Sequence, residues 1–279
     1  MTSHSSTQRF NTCPFSYKLH KEGLRKVFVG PEANYMAWGK AGHGALEAHY
    51  KGEDFNEVLG EFSRLYPNDL DPTNAVWSRE GGYKTIEAYI NYYQEIDKQW
   101  EVLATELKDD PINPTLIIDL VAKQKQTGSI YFWDHKFKAK APWGADRRYG
   151  IDAQISRYTD YVQQNYGDCA GAVINIVVPG YRQRAYKGEP AGWHWKFERP
   201  IVGRTPQQME FWRESQAEWE GLIDSCNLSG HYPKHLGYNC TSCQFYEYCF
   251  SGADEEVRDA LYTTEDIETF EVVVEGDSE

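Results

Sequence analysis

The stretch TLIIDLVAKQKQTGSIYFWDHKFKAK, residues 115–140, decides the fold that we expect for this chain. It contains two apolar, β-rich runs, residues 116–118 and 130–133, with a polar segment between them. This pattern predicts two neighbouring strands joined by a turn. A carboxylate closes each run, Asp119 in the first and Asp134 in the second, so we expect two acidic side chains at the ends of adjacent strands.

Lys136 follows Asp134 by two positions. Side chains two residues apart on a strand point to the same face of the sheet, so a carboxylate and an ammonium group are expected side by side. Two carboxylates can hold a hard divalent cation that polarises a phosphoryl oxygen, and an ammonium group offsets charge in the transition state. This set is suited to phosphodiester hydrolysis. An isolated Asp-x-Lys triplet is also frequent by chance, as a solvated strand end, so the interpretation depends on the motifs around it.

The composition is that of a folded globular protein. The 279 residues suffice for one substantial domain with insertions or for two small ones. Hydrophobic residues make up 41% and aromatic residues 15%, which excludes a disordered chain. The net charge is −13, but residues 253–279 carry eleven acidic residues against Arg258 alone, a net charge of −10, which leaves −3 for the remaining chain. A nearly neutral body can present basic patches to phosphates, and the acidic tail is predicted to be solvated or partly disordered.

No targeting or membrane segment is predicted. Residues 1–8 are polar, no apolar stretch of a signal peptide follows them, and the longest apolar run, residues 170–178, is too short to cross a bilayer. We therefore expect a soluble protein of the cytoplasm with no membrane partner. In that compartment the six cysteines are expected to be thiols or metal ligands rather than disulfides.

Helical patterns accompany the predicted strands. Residues 35–50 form a predicted helix that carries His43 among several glycines, whose clustering indicates a close approach by backbone or ligand. On its own, a histidine in this position is more typical of a satisfied surface or core residue. Residues 54–108 are expected to form a helical insertion beside the sheet, with a long amphipathic helix over 83–107, and residues 150–165 form another predicted helix.

A basic loop, residues 138–148, follows the predicted strands directly and contains Trp143. Its candidate phosphate contacts are Lys138, Lys140, Arg147 and Arg148. A run of charge is usually a solvated face, but beside the predicted site phosphate contacts and a stacking ring would be useful. In the helix that follows, Gln154 and Tyr158 are four residues apart and therefore lie on one face.

Three cysteines, Cys240, Cys243 and Cys249, form the pattern C-x2-C-x5-C. The two-residue spacing lets two thiolates reach one metal centre from a tight turn, and the third follows after a further turn. A fourth ligand is needed, and Cys13 is the candidate, because it lies at the opposite end of the chain and would fasten the two ends together. The spacing alone is compatible with zinc, with an iron–sulfur cluster and with unrelated thiols.

In chain order, these motifs resemble those of the iron–sulfur members of the PD-(D/E)XK nuclease superfamily, the RecB-type nucleases that include the AddB nuclease domain and the CRISPR-adaptation exonucleases. The matching landmarks span nearly the whole chain: Cys13, His43 in GKAGHGALE, Asp119 in IID, Asp134-His135-Lys136 in FWDHK, Gln154 and Tyr158 in Q-x3-Y, and Cys240, Cys243 and Cys249. The resemblance implies an α/β fold with a restriction-endonuclease-like core, a mixed central sheet, a helical insertion and a cluster that joins the N- and C-terminal regions. Residues 1–252 would then form a single nuclease domain, with the cluster-binding segment at 226–252 and the acidic tail at 253–279.

The resemblance also implies roles for the landmarks. His43, Asp119 and Asp134, with the main-chain carbonyl of His135, would bind Mg²⁺ or Mn²⁺, and an imidazole ligand suits Mn²⁺. Lys136 would orient or activate the attacking water. Two side chains would position the substrate backbone, namely Gln154 and Tyr158. A structural [4Fe-4S] cluster, with zinc as the alternative, would be held by Cys13, Cys240, Cys243 and Cys249.

We therefore expect a metal-dependent DNA exonuclease that acts on single-stranded DNA or on free ends, in phage or bacterial recombination and repair, with a recombination protein as candidate partner. No G-x4-G-K-[ST] motif is present, so we expect a stand-alone nuclease rather than one coupled to a motor. Two alternatives remain open. The chain could be a non-catalytic DNA-binding subunit with a nuclease-like fold, or a zinc-stabilised interaction protein in which the Asp-x-Lys match is accidental.

Overall fold

The computed structural model describes residues 3–27, 31–67, 74–111, 114–140, 142 and 144–264. The chain forms two compact units. We call Val29–Ser215 the sheet unit, and Met1–Phe28 together with Gln216–Glu279 the terminal unit.

The helices, in chain order, are α1 (His4–Thr12), α2 (Pro14–Lys21), α3 (Pro31–Lys51), α4 (Phe55–Leu65), α5 (Arg79–Tyr93), α6 (Ala145–Gly150), α7 (Ala153–Tyr166), α8 (Pro206–Ser229), α9 (Tyr246–Phe250) and α10 (Glu255–Leu261). The strands are β1 (Leu24–Lys26), β2 (Trp100–Lys108), β3 (Ile117–Gln124), β4 (Ile130–Phe137), β5 (Cys169–Arg182), β6 (Gly192–Glu198), β7 (Ile201–Val202) and β8 (Tyr262–Thr264). Short 3-10 turns lie at Asp97–Gln99 and Tyr238–Ser242. Among the described residues, no helix combines the length and the apolarity that a membrane crossing requires.

The sheet unit is built on one mixed sheet. Its strand order is β2-β3-β4-β5-β6, and β7 pairs with β5. Strands β4 and β5 run parallel, whereas the other neighbours are antiparallel. A parallel pair needs a crossover, which the chain makes through α6 and α7 between the end of β4 and the start of β5. The predicted α/β fold with a mixed central sheet is confirmed.

Helices pack on both faces of the sheet. Side chains alternate along a strand, so β4 sends Phe132 to one face and Phe137 to the other. Helices α3, α4 and α5 pack on the Phe137 face, around a core that contains Trp38, Phe62 and Tyr89. Helix α7 packs on the Phe132 face. Burial on both faces explains why the central strands contain such continuous apolar runs.

The predicted pair of strands is present, but both strands extend past the predicted limits. Strands β3 and β4 are antiparallel, with Leu120 opposite Trp133. In the turn between them Gly128 has a φ of +75°, a conformation that favours glycine. The prediction that a carboxylate ends each strand is wrong, because Asp119 is the third residue of β3 and Asp134 the fifth of β4. After Asp119 the apolar run resumes over residues 120–122, and main-chain pairing with β5 carries β4 on through Asp134, His135 and Lys136.

The long helix predicted over residues 83–107 is wrong in its second half. Helix α5 ends at Tyr93, and residues 100–108 form β2 at the edge of the sheet. Val102 is exposed on this edge, and the register with β3 shifts between Val102 and Ala104. A bulge of this kind breaks the period-two alternation that marks a strand, so the pattern resembled that of a helix.

The terminal unit combines residues from the beginning and the end of the sequence. Helices α1 and α2 meet at Cys13, and β1 pairs antiparallel with β8. A small core is formed by Leu19, Leu24, Phe245 and Tyr262. Within the region predicted as an acidic tail, residues 255–264 form α10 and β8. Residues 265–279 lie outside the described residues.

Candidate active site

His43 is placed by a close approach between α3 and β4. A Cβ added at Gly42 would lie 2.6 Å from the ring of Phe137, so the contact requires a glycine. The His43 ring centroid lies 5.7 Å from that of Phe137 and 6.0 Å from that of His135. Gly42 therefore lets α3 lie close to β4, which places His43 beside Phe137 and His135.

Asp119 connects His43 to the sheet. Its Oδ1 lies 3.2 Å from His43 Nδ1, and its Oδ2 accepts a hydrogen bond of 2.6 Å from the main-chain N–H of His135. The paired residues of β3 and β4 end with Leu120 opposite Trp133, so Asp119 lies one residue beyond the last pair. Where the two strands separate, the Asp119 carboxylate takes the place of a main-chain acceptor.

Asp134 and Lys136 lie side by side on β4. Lys136 Nζ is 2.8 Å from Asp134 Oδ2, which confirms that the two side chains share a face. The Asp134 carboxylate is buried, and despite the ion pair its Oδ2 has no hydrogen bond of good geometry within the described part of the chain. A carboxylate oxygen is costly to bury, and a divalent cation bound here would add to the charge of Lys136 and reduce that cost further.

Burial and neighbouring charges shift the pKa values of these groups in different directions. Burial raises the pKa of Asp134, and Lys136 offsets only part of the rise. Burial acts the same way on Asp119, but the charge and hydrogen bond of His43, with the N–H of His135, outweigh it and hold the Asp119 pKa well below its usual value. Burial lowers the pKa of His43 and of Lys136, but the carboxylate partner of each outweighs burial and raises it.

Two further acidic side chains lie near His43 and Asp119. Glu106 of β2 has a φ of +46°, in the left-handed region that is unfavourable for residues other than glycine. Burial raises the pKa of Glu106, and the charges of Glu47 and Asp119 add to the rise. Glu47 lies one turn after His43 on α3 and pairs with Lys51 at 2.6 Å. This concentration of negative charge favours the binding of a cation.

Gln154 and Tyr158 lie on one face of α7, as predicted. The Nε2 of Gln154 donates a 2.8 Å hydrogen bond to the hydroxyl of Tyr158. Tyr158 packs edge-on against Phe132, with ring centroids 5.6 Å apart, so it lies against the face of β4 that carries Asp134. Burial raises the pKa of Tyr158, and the charge of Asp134 adds to the rise, so the phenol stays protonated and can donate to a further acceptor.

The candidate phosphate contacts follow β4 in the chain. Lys138 is half-buried, and burial together with the charges of Lys136 and Arg148 lowers its pKa. The other candidate contacts are exposed: Lys140, Arg147 and Arg148. Trp143, the predicted stacking ring, lies outside the described residues. Cations close to Lys136 favour the approach of a phosphate group to the site.

The predicted metal ligands are neighbours, but they are not arranged around one point. Within the described ranges, no group of three or more His, Cys, Asp or Glu side chains is placed so that it could hold a metal ion. The carboxylates pair instead with His43 and Lys136. The donor types nevertheless suit a divalent cation, because carboxylate oxygens and an imidazole are ligands of Mg²⁺ and Mn²⁺. The buried Oδ2 of Asp134 is likewise an oxygen that suits a divalent cation.

The four predicted cluster ligands line one cavity of the terminal unit. Its volume is about 420 Å³, and its walls include Cys13, Cys240, Cys243 and Cys249. Cys13 lies at the junction of α1 and α2, where its N–H donates to the Arg9 carbonyl. Arg9 and Lys234 line the same cavity, and cationic side chains stabilise thiolates. The fold therefore places these cysteines along one cavity, although among the described residues they do not form a metal-binding group, and their role as ligands stays a prediction.

Sequence reasoning missed two polar residues behind His135, the buried Asn175 and the nearly buried Arg199. Asn175 Nδ2 lies 2.8 Å from His135 Nδ1, and Arg199 Nε donates a 3.2 Å hydrogen bond to Asn175 Oδ1. The signal for Asn175 is its place as the one polar side chain in the apolar run 170–178, since a buried amide needs partners. Arg199 lies in the turn between β6 and β7 and has no comparable signal.

Comparison with known protein families gives a match over most of the chain. A sequence profile described as the PD-(D/E)XK nuclease superfamily matches residues 1–250. No curated protein matches the chain significantly. The nucleases of this superfamily are generally metal-dependent hydrolases that use divalent metals such as Mg²⁺ or Mn²⁺. The matched region covers every candidate residue from Cys13 to Cys249, and the chain belongs to the PD-(D/E)XK nuclease superfamily.

Proposed function

We propose that the protein is a metal-dependent deoxyribonuclease of the RecB type, and specifically an exonuclease on single-stranded DNA or on DNA with free ends. One observation carries the proposal. Three elements, α3, β3 and β4, bring two pairs of residues side by side where β3 and β4 separate: His43 with Asp119, at 3.2 Å, and Asp134 with Lys136, at 2.8 Å. A binding protein that does not cut DNA has no need for two adjacent carboxylates, Asp134 buried and Asp119 only 15% exposed, because such groups are costly to maintain.

His43, Asp119 and Asp134 would hold Mg²⁺ or Mn²⁺, with the main-chain carbonyl of His135 as a further ligand. A cation bound there supplies positive charge that polarises the scissile phosphate. The hydrogen bond from the His135 N–H fixes one oxygen of Asp119, and the ion pair with Lys136 restrains Asp134. These contacts restrain both carboxylates before a cation binds.

Lys136 would orient the attacking water and offset the charge that develops on the phosphate. Because its pKa is raised, the side chain stays an ammonium group and acts as a charge and a donor rather than as a base. Gln154 and Tyr158 would position the DNA backbone through their remaining donor groups. Water then attacks phosphorus, the bond to the 3′-oxygen breaks, and the products carry a 5′-phosphate and a 3′-hydroxyl.

The basic residues after β4 would bind the phosphates next to the cleaved bond. These are Lys138, Lys140, Arg147 and Arg148. Their contribution is electrostatic, so binding should weaken as salt concentration rises. We propose that both units act together as one nuclease domain in recombination or repair in a bacterial or phage-infected cell.

The terminal unit would hold a structural [4Fe-4S] cluster between Cys13, Cys240, Cys243 and Cys249. Burial raises the pKa of Cys249, and the thiols of the other three cysteines add to the rise, which indicates that the four groups lie within electrostatic range of one another. The cavity of about 420 Å³ that these cysteines line leaves room for a cluster, and zinc stays the alternative.

A cleavage assay on defined DNA tests this function. Protein purified without oxygen is incubated with end-labelled linear single-stranded DNA, linear duplex and covalently closed circles, each with Mg²⁺, Mn²⁺ or EDTA. We expect metal-dependent shortening of the linear substrates, no cutting of the circles and no reaction in EDTA. Binding to DNA without cleavage would support a non-catalytic DNA-binding subunit, and cutting of the circles would overturn the exonuclease assignment.

A further inference from the structure

The side chain of His135 is buried on the face of β4 opposite Asp134 and Lys136. His135 is 2% exposed, and its ring stacks on that of Tyr50, with the planes 12° apart and the centroids separated by 5.8 Å. Its residue partner in the parallel register between β4 and β5 is Asn175. Although the proposed function uses only the main chain of His135, its imidazole is held on several sides.

The hydrogen bonds define how the amide of Asn175 is oriented. A guanidinium group can only donate, so the oxygen of Asn175 faces Arg199 Nε, at 3.2 Å. The NH₂ group therefore donates to His135 Nδ1, at 2.8 Å. A ring nitrogen that accepts carries no proton, so His135 is the neutral tautomer with its proton on Nε2.

Arg199 is itself fixed in place. It forms a two-pronged ion pair with Asp97, and both side chains are nearly buried, at 11% and 13% exposure. Its Nη2 also donates to the hydroxyls of Tyr50 and Tyr89, at 3.0 and 2.7 Å. The guanidinium carbon lies 3.3 Å from the ring centroid of Tyr93 and 4.4 Å from that of Trp133. A charged group with so many partners is rigid, and it transmits that rigidity to Asn175.

The other end of this network reaches the proposed metal ligands. The main-chain N–H of His135 donates to Asp119 Oδ2 at 2.6 Å, while Asp119 Oδ1 contacts His43. The peptide unit of His135 thus connects the buried network to the carboxylate. A change that lets the imidazole turn would also let this peptide shift, and Asp119 would lose its orientation.

We infer that Asn175 and Arg199 are positioning residues of the nuclease site, which hold His135 so that its peptide unit keeps Asp119 in the orientation that binds the metal. This inference rests on the proposed metal-dependent nuclease function. Neither residue would touch DNA or the cation. Partners of this kind, one step removed from the ligands, typically change metal affinity by about 10- to 100-fold when they are removed.

The test measures Mn²⁺ affinity directly, from the electron paramagnetic resonance signal of free Mn²⁺, and does not depend on cleavage. The variants are Asn175→Ala and Asn175→Leu, the second of which keeps nearly the volume of the amide but neither hydrogen bond. Val177→Ala is the matched control, since Val177 is fully buried two residues further along the same face of β5. Thermal unfolding of each variant shows how much stability it loses.

We expect both Asn175 variants to bind Mn²⁺ about 10- to 100-fold more weakly than the wild type, and kcat to fall while KM for DNA stays close to that of the wild type. Val177→Ala should lose stability but keep wild-type Mn²⁺ affinity. Arg199→Lys, which keeps a cation beside Asp97 but cannot replace the planar group, should weaken binding in the same direction. If the Asn175 variants do not fold, Arg199→Lys takes their place in the test.

These measurements separate a failure of the positioning role from a failure of the proposed nuclease function. Wild-type protein that binds Mn²⁺, with Asn175 variants that bind it within about twofold of the same affinity, would overturn the positioning role alone. Loss of affinity in Val177→Ala equal to that in the Asn175 variants would do the same, because it would reduce the effect to general packing. Wild-type protein that binds no Mn²⁺ and cuts no DNA would overturn the proposed function, and this inference with it.

Discussion

His43 Nδ1 lies 3.2 Å from Asp119 Oδ1, although 76 positions separate the two residues in the chain. The contact joins α3 to β3 at the place where β3 separates from β4. It also leaves the second oxygen of Asp119 to the main chain of His135. A carboxylate with both oxygens held by donors is well defined in position, which is what a metal ligand requires.

Asp119→Asn should abolish most of the cleavage while the fold is kept. The amide has the shape of the carboxylate but lacks its charge, so it binds a divalent cation poorly. We expect the rate to fall by about 100-fold or more at saturating Mn²⁺. Glu95→Gln is the control, because it removes an exposed carboxylate whose partner is Lys98. Equal activity of Asp119→Asn and this control would show that Asp119 has no part in the reaction.

Lys136→Met and Lys138→Met should differ in the kinetic constant that they change. Lys136 is paired with Asp134 at the reacting centre, so its loss should lower kcat by about 100-fold or more and leave DNA binding nearly intact. Lys138 lies beside the site, so its loss should raise KM and reduce the salt dependence of binding by about one ion. The constants are measured over a range of salt concentrations. The reverse pattern would contradict the assigned roles.

Cys13→Ser and Cys240→Ser should each remove the iron that copurifies with the protein. We expect about four iron atoms per wild-type chain after purification without oxygen, as a [4Fe-4S] cluster requires. Cys226→Ser should retain the iron, because Cys226 packs against a separate small core of the terminal unit that includes Phe10 and Ile223. Iron and zinc are measured by elemental analysis. About one zinc per chain would select the zinc alternative, and retention of iron in Cys13→Ser would exclude Cys13 as a ligand.

His20 should make the folded state less stable in acid. Burial, and then the charges of Arg9 and Arg25, lower the pKa of His20 from 6.5 to about 4. Between these values the unfolded chain binds a proton that the folded chain does not. This contribution to stability is therefore fully present above pH 6.5 and is lost as the pH falls toward 4.

The full shift corresponds to about 3 kcal/mol, which solvent screening at this half-buried site reduces to roughly 1–2 kcal/mol. The measurement is urea unfolding of the wild type and of His20→Gln at pH 7.5 and 4.5. Lowering the pH from about 7.5 to about 4.5 should reduce the free energy of unfolding of the wild type by roughly 1–2 kcal/mol more than that of the variant. The wild type and the variant share all other titrating groups. Equal losses of stability in the two proteins would therefore show that the pKa of His20 is not lowered.

The amino-acid sequence predicts the chemistry of the site better than its surroundings. Asp134 and Lys136 could be placed on one face because a strand has a fixed period of two residues. The position of β2 could not be predicted, because the bulge between Val102 and Ala104 and the exposed edge hide that period. Its main-chain pairing with β3 is a long-range interaction that leaves little trace in local sequence.

The network around His135 shows a second limit of sequence reasoning. Asn175 stands out in an apolar run, but nothing in the sequence tells which donor or acceptor it meets. Arg199 and Asp97 are separated by 102 positions, and an Arg or Asp in a turn is normally exposed. Their pairing depends on the complete sheet, so the buried network can be recognised only when β2, β5 and β6 are in place.

The central claim is that an imidazole and two carboxylates bind one divalent cation beside an ammonium group. Anomalous diffraction from crystals soaked in Mn²⁺ tests it most directly, because the manganese signal locates the ion without reference to activity. We predict one strong peak in contact with His43, Asp119 and Asp134, and its loss in Asp119→Asn. A manganese peak bound by other residues would contradict the account. So would the absence of a peak in crystals whose solvent channels reach the site.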